Sequence, residues 1–239
     1  MAFKLTTTKE AAVLNGLKVL VYGGAGVGKT RLCSTASDAL IISAESGLLS
    51  LAEFDIPVVE IYSIEDLEVA YQYVTESEEG KAFSWICLDS ITEIAEQCLA
   101  NEKEKSKDPR KAYGELSDRM TEILKAFRDL PGRNVYMSCK ALTVKDEDLK
   151  MMVHSPMMPG QKLGQALPYL FDEVFALRAE KNLESGDLER MLQTAACQNW
   201  QAKDRSGRLD EFEEPNLDAI LAKITGKKTK TKTKTEDKK

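Results

Sequence analysis

Hydrophobic positions first gather in Leu17–Tyr22 (LKVLVY), a short run that ends in glycines. Such a continuous apolar run predicts a buried strand. After the glycines, Lys29–Ser37 is expected to be helical, and Ala39–Ser43 (ALIIS) and Pro57–Tyr62 (PVVEIY) predict two more strands. Ser63, with Asp66 three residues on, marks a helix start. Ile64, Leu67, Ala70, Tyr71 and Val74 then follow at helical spacing. Phe83–Leu88 (FSWICL) predicts the next strand, and Ile91–Ala100 and Glu115–Arg128 two helices. Leu116, Met120, Ile123, Leu124 and Phe127 share one face of the second helix, and Asn134–Ser138 (NVYMS) predicts a further strand.

Buried strands alternating with helices predict an α/β fold with a mainly parallel sheet covered on both faces. Beyond residue 140 the pattern changes. Residues 141–168 hold three prolines, two Met-Met pairs and two glycines with little periodicity, and predict a long loop. Glu173–Arg178, Arg190–Cys197 and Trp200–Lys203 predict strands without helices between them, so the sheet is expected to end in antiparallel strands. Asn216, after Pro215, should cap a last helix running to Ile224. The Lys/Thr alternation after Gly226 has almost no apolar content and is expected to be disordered. The chain thus divides into a segment 1–16, a core 17–225 and a tail 226–239, with no internal repeat.

Composition narrows the class. At 239 residues and 43% hydrophobic, the chain can build one full-sized core. No apolar stretch approaches the ~20 residues of a membrane span. MAFKLTTTKEAAVLNG lacks a signal peptide's layout. Cys33, Cys87, Cys98, Cys139 and Cys197 are dispersed, and there is one histidine. That argues against a zinc site and fits reduced thiols in a cytoplasm. Lys227–Lys239 holds seven lysines, one glutamate and one aspartate, a net of +5, so a total of −6 leaves the body at −11. An acidic body argues against a surface that coats nucleic acid everywhere, but not against a local basic groove.

Gly23-Gly24-Ala25-Gly26-Val27-Gly28-Lys29-Thr30 matches G-x-x-x-x-G-K-[ST] in full, between a strand and an expected helix. Glycines let backbone N–H groups curl round an anion at a helix N-terminus, and the binding stretch continues to Arg31. Lys29 would reach the β- and γ-phosphates of ATP and the Thr30 hydroxyl would bind Mg²⁺. Asp89, where the strand WICLD surfaces, suits the carboxylate that holds the metal's water shell; it or Ser90 would also cap the next helix. Glu45, ending the strand after the P-loop helix, is the leading general base, against a solvated turn glutamate as the alternative.

Together these residues resemble the RecA-like branch of P-loop ATPases. More narrowly, the chain resembles the phage-encoded, core-only RecA-like proteins grouped with single-strand annealing recombinases, the Sak-four type. The likeness runs from about Leu17 to Ile224 and includes LVYGGAGVGKT, LDS and Ala202-Lys203-Asp204-Arg205-Ser206-Gly207. It implies ATP-dependent binding of single-stranded DNA, annealing in homologous recombination, self-association and cooperation with a single-strand-binding protein. It also implies that Lys203 and Arg205 reach a neighbouring subunit's γ-phosphate, as an arginine finger does; a charged hairpin turn is the alternative. Lys140 stands where related proteins carry a polar γ-phosphate sensor, often Gln or His. Two loops would face DNA. Asn101–Lys111 offers Lys103, Lys105, Lys107, Arg110 and Lys111, and 141–168 offers Lys145, Lys150, His154, Gln161 and Lys162 without an aromatic. Two other readings share the same core: a nucleotide-gated loader of a protein partner, and a helicase-type ring motor.

Overall fold

Val19 and Val21 on one side and Leu20 and Tyr22 on the other are all fully buried, which places β1 (Lys18–Gly23) at the centre of the sheet. The structure, a computed structural model, describes residues 5–226 except 9, 11–14, 46, 149, 183–184 and 198. The 226–239 tail, apart from Gly226, and nine of the sixteen residues of the 1–16 segment therefore lie outside the described residues. The other strands are β2 (Ala39–Ser43), β3 (Val58–Glu60), β4 (Trp85–Asp89), β5 (Asn134–Asp146) and β6 (Met151–Pro156). After them come β7 (Glu173–Lys181), β8 (Leu188–Gln193), β9 (Lys203–Asp204) and β10 (Phe212–Glu213).

The strand order is β10-β8-β7-β1-β5-β4-β2-β3. From β3 to β7 every pairing is parallel. The wing of β8 and β10 is antiparallel. Helices cover both faces. On one, α2 (Ile64–Glu76), α4 (Ile91–Lys105) and α5 (Pro109–Arg128) bury Leu67, Ile94, Leu116 and Phe127 against Leu20, Leu88 and Met137. On the other, α1 (Lys29–Leu32) and α7 (Leu217–Thr225) bury Leu32, Leu217 and Ile220 against Val19, Val21 and Trp85. The expected caps form: Ser63 accepts from the Asp66 N–H at 3.1 Å and Asn216 from the Ala219 N–H at 2.9 Å. Two short helices were not expected, α3 (Glu78–Ala82) and α6 (Gln161–Ala166).

The structure corrects three expectations. Residues 141–168 are not a long loop, because β5 runs on to Asp146 and pairs with β6 as an antiparallel hairpin, followed by α6. The alternation Leu142-Thr143-Val144-Lys145 suits such a ribbon, and the Met-Met pairs obscured it. Asn101–Lys111 is not a loop either. Asp108 caps the Arg110 N–H at 2.9 Å and Pro109 occupies the first helical position, so α5 starts six residues early. Finally, α1 gives way after one turn to a 3₁₀ turn, Cys33–Thr35, where Ser34 and Thr35 hydroxyls bond back to the Arg31 and Leu32 carbonyls.

At the foot of β7, Glu173 is fully buried against Asp204 of β9, with Oε1 receiving the Ser206 N–H at 3.3 Å. Its Oε2 is the buried side-chain atom without a partner among the described residues. Burial, and then the adjacent Asp204 charge, push this carboxyl up to about 8.

Two stability predictions follow from this packing. Phe127 is fully buried and meets Tyr71 edge-on at 5.1 Å, so Phe127→Ala should cost about 3–5 kcal/mol in denaturant unfolding. Glu173 binds its proton more tightly folded than unfolded. Its contribution is therefore full below its ordinary value and is lost as pH rises towards about 8. Glu173→Gln should flatten that fall in melting temperature between about pH 5 and 8; an unchanged slope would assign it to other groups.

Candidate nucleotide site

The parallel register brings the C-terminal ends of β1, β5, β4 and β2 level, pairing Gly23 with Lys140, Val21 with Ser138 and Ser43 with Asp89. Ligands of open α/β sheets gather at this edge. Gly23 ends β1, and a Cβ there would lie 2.8 Å from the Leu177 carbonyl oxygen of β7, so no side chain fits. Gly24, Ala25, Gly26 and Val27 make the turn, and Gly28, at φ 110°, enters α1 in a conformation that glycine alone adopts readily. The Tyr136 hydroxyl of β5 holds the Lys29 carbonyl at 2.9 Å, which fixes the start of α1 on the sheet.

Four residues expected to act together meet here. Lys29 Nζ donates to the Gly23 and Gly24 carbonyls at 3.0 and 2.9 Å. Burial lowers its pKa, while Asp89 and Glu45 oppose the shift as nearby negative charges. Thr30 Oγ1 donates to Asp89 Oδ2 at 2.6 Å. Asp89, only 2% exposed, receives the Ser138 hydroxyl on its other oxygen. Glu45 Oε1 accepts from Ser90 Oγ at 2.5 Å, and Ser43 Oγ donates to the Glu45 carbonyl at 2.5 Å. Glu45 is thereby tied to the residue that follows Asp89.

A hydroxyl and a carboxylate in contact are hard oxygen donors, the set that suits Mg²⁺ with its remaining positions left to water and phosphate. Among the described residues no three His, Cys, Asp or Glu side chains cluster, so an all-protein metal cage is not what this site offers. Arg31 points elsewhere, pairing with Glu53 at 2.8 Å and lying over the Phe54 ring.

Other expected residues stand apart from this centre. Lys140 is bound by Glu96 at 2.8 Å and Glu93 at 3.1 Å of α4, and the hydrogen bond to Glu96 foremost raises its pKa. It is engaged as an ion pair on the helix. Lys203 and Arg205 lie at the opposite edge of the sheet, beside the start of β7. Lys203 Nζ donates to the Pro168 and Phe171 carbonyls at 2.6 and 2.5 Å, and burial lowers its pKa. Arg205 pairs with Asp172 at 2.7 Å and remains largely exposed. Neither can reach the P-loop of its own chain. Of the basic positions at 103–111, Lys105 is bound by Glu102 at 2.8 Å and Lys103 lies over the Tyr113 ring. His154 is no loop residue: it sits on β6, stacked on Trp200 at 3.9 Å, with Arg178 on that indole at 5.1 Å. Burial, then Arg178, lowers its pKa.

Sequence reasoning missed Ser138, Ser90, Tyr136 and Arg190 as neighbours of the site. Ser138 and Tyr136 lie within β5 and Ser90 just after β4, at levels that register sets, and a hydroxyl in NVYMS was the available signal for Ser138. Arg190 of β8 carried no signal; its Nε donates to the Val27 carbonyl at 3.0 Å.

No helix among the described residues is long and apolar enough to cross a membrane. Comparison with curated proteins gives no match. Among solved structures the chain is similar to a KaiC-like protein, PH0186, from the hyperthermophilic archaeon Pyrococcus horikoshii OT3. That likeness has 16% identity, covers 74% of this chain and 77% of the other, and has a TM-score of 0.41. A family model described as an AAA domain, AAA_24, matches residues 15–206, from just before β1 to just after β9. With that match spanning the P-loop and the strands that surround it, the chain belongs to the AAA_24 family and is a P-loop ATPase of RecA-like α/β fold.

Proposed function

We propose that the protein hydrolyses ATP with Mg²⁺ and uses the cycle to control its hold on single-stranded DNA, promoting annealing in phage homologous recombination. The convergence of Lys29, Thr30, Asp89 and Glu45 on one sheet edge supports the hydrolytic half. Lys29 neutralises the β- and γ-phosphates, while the N–H groups from Gly24 to Arg31 cradle them. The Thr30 hydroxyl, and Asp89 through water, would hold Mg²⁺, which would supply charge stabilisation to the phosphate oxygens. Glu45, oriented by Ser90, takes the proton of the attacking water. Lys203 and Arg205, placed away from their own P-loop, stabilise the γ-phosphate of a neighbouring copy, so ATP lies between protomers and self-association is part of the cycle.

The continuity of β5 supports the DNA half. The strand that places Ser138 against Asp89 runs straight on into the β5–β6 hairpin, which carries Lys145, Lys150 and His154. A change at the phosphate edge therefore has a stiff path to a surface where Lys150, and Lys145 once it leaves its 3.2 Å pair with Glu147, can meet phosphates. The Trp200–His154 stack at its base adds aromatic surface that residues 141–168 lack in sequence. A single-strand-binding protein is a natural partner of this reading, and the cytoplasm of a bacterial host its compartment. One observation favours a loader of protein partners instead: the hairpin exposes Leu142, Val144 and Met152 by 40–49%.

The two readings part in one measurement. Single-stranded DNA should stimulate the ATPase, with affinity falling steeply as salt rises; a rate indifferent to DNA would favour the loader. Lys29→Ala should abolish nucleotide binding and turnover, whereas Glu45→Gln should keep binding and lose hydrolysis by roughly 10²–10⁴-fold. Lys203→Ala and Arg205→Ala should each bind ATP nearly as wild type but lose turnover, roughly 10³-fold or more for a finger acting in trans. Mixing either with Lys29→Ala protein should restore part of the rate, because intact half-sites then meet; wild-type turnover in the single variants would sink the shared site.

A further inference from the structure

Arg190 reaches the P-loop from the antiparallel wing. It stands on β8 opposite Ala179 of β7, and its side chain extends to the loop that leaves β1. Nε donates to the Val27 carbonyl at 3.0 Å, and a Cβ on Gly28 would touch Arg190 Cδ and Nε at 3.5 Å. The guanidinium thus lies directly against the phosphate loop, though the residue itself is exposed.

Its partners set it apart from the other arginines near this edge. Arg31 is neutralised by Glu53, and Arg178 is engaged by Glu180 and, at 2.7 Å, by Gln193. Among the described residues Arg190 has no carboxylate partner, and the Val27 carbonyl takes only its Nε. The two terminal nitrogens, with four N–H donors between them, are left to solvent or to a ligand. A long exposed side chain that is held in one conformation, beside a loop shaped for anions and without a counter-charge, complements a polyphosphate.

We propose that Arg190 is a further nucleotide-binding residue, anchored on Val27 and presenting its terminal guanidinium nitrogens to the phosphates of the bound nucleotide. It rests on the ATPase reading above and adds to it a cation from the same chain, distinct from Lys29 and from the Lys203 and Arg205 pair. The wing of β7 and β8 then forms one wall of the nucleotide site. Because Arg190 belongs to β8 and β8 pairs with β7, nucleotide occupancy is felt directly by the wing.

Titration of ATP and of inorganic triphosphate with Mg²⁺ tests this in wild type, Arg190→Ala, Arg190→Gln and Lys29→Ala. The Gln amide nitrogen sits as many bonds from the backbone as Arg Nε, so Arg190→Gln keeps the donor to Val27 and removes only the terminal nitrogens. Both Arg190 variants should bind ATP and triphosphate roughly ten- to a hundredfold more weakly than wild type, with unchanged melting temperatures without nucleotide. Wild-type affinity in Arg190→Gln with a loss in Arg190→Ala would make Arg190 a prop for the loop and overturn the proposal. Weakened ATP with unchanged triphosphate would place the contact on the nucleoside and overturn it as well. Lys29→Ala separates the two levels: if it binds ATP as wild type does, the P-loop reading itself fails, whatever the Arg190 variants do.

Discussion

A carboxylate buried at the centre of the sheet edge organises the rest of this molecule. Asp89 is nearly inaccessible, and a carboxylate in that position costs several kcal/mol unless donors surround it. Thr30 and Ser138 supply them, one to each oxygen. Those donors come from α1 and from β5, so satisfying Asp89 fixes the P-loop helix and the β5 strand relative to β4. Strand order does the remaining work. With β5 between β1 and β4, the P-loop and the acidic strand end lie one strand apart, and Ser138 fills the gap. Were β1 and β4 adjacent, the residue bridging them could not come from the strand that also carries the hairpin.

How much of this was legible depends on range. Central parallel strands are buried on both faces, so LKVLVY, ALIIS and WICLD announce themselves as apolar runs without any partner being known. The P-loop is legible because its chemistry is contiguous: glycines, lysine and threonine occupy eight successive positions. Asp89 and Glu45 could be found because each ends such a run. Arg190 could not, since it stands 163 positions from Val27 and only the closing of β8 on β7 brings it there. The hairpin was missed for another reason. Its outer half is solvent-exposed on both faces, so Met, Val, Thr and Lys alternate without the clean polarity that burial on one side imposes.

Helix ends failed in a similar way. The acidic and basic residues of Asn101–Lys111 read as a charged loop, yet a Glu102–Lys105 pair lines the helix surface there. Charge density is a poor guide to loop content where i,i+3 pairing is available. The consequence for function is specific. Lys105 is committed in this way, whereas Lys107, Arg110 and Lys111 are exposed and carry no ion pair among the described residues, and Lys145 of the hairpin pairs with Glu147 at 3.2 Å, so ion pairing leaves both surfaces open to the proposed DNA contact. An acidic body would confine the proposed DNA contact to local basic patches.

The strand β7 connects these parts more directly than any helix does. At its start, Asp172 and Glu173 hold Arg205 and the turn after Lys203. In its middle, the Leu177 carbonyl presses on Gly23 so closely that the loop's first residue has no room for a side chain. Just beyond, Arg178 lies against Trp200, which stacks on His154 of the hairpin, while Tyr22 bonds the His154 and Gln201 carbonyls from β1. One strand therefore touches the residues proposed to act on a neighbour's nucleotide, the phosphate loop and the base of the proposed DNA-facing ribbon. Packed cores resist continuous deformation, so a shift at any of these points is passed along β7 rather than absorbed. That makes the edge between β1 and β7, where glycine meets carbonyl, the place where nucleotide state would be coupled to the proposed DNA grip.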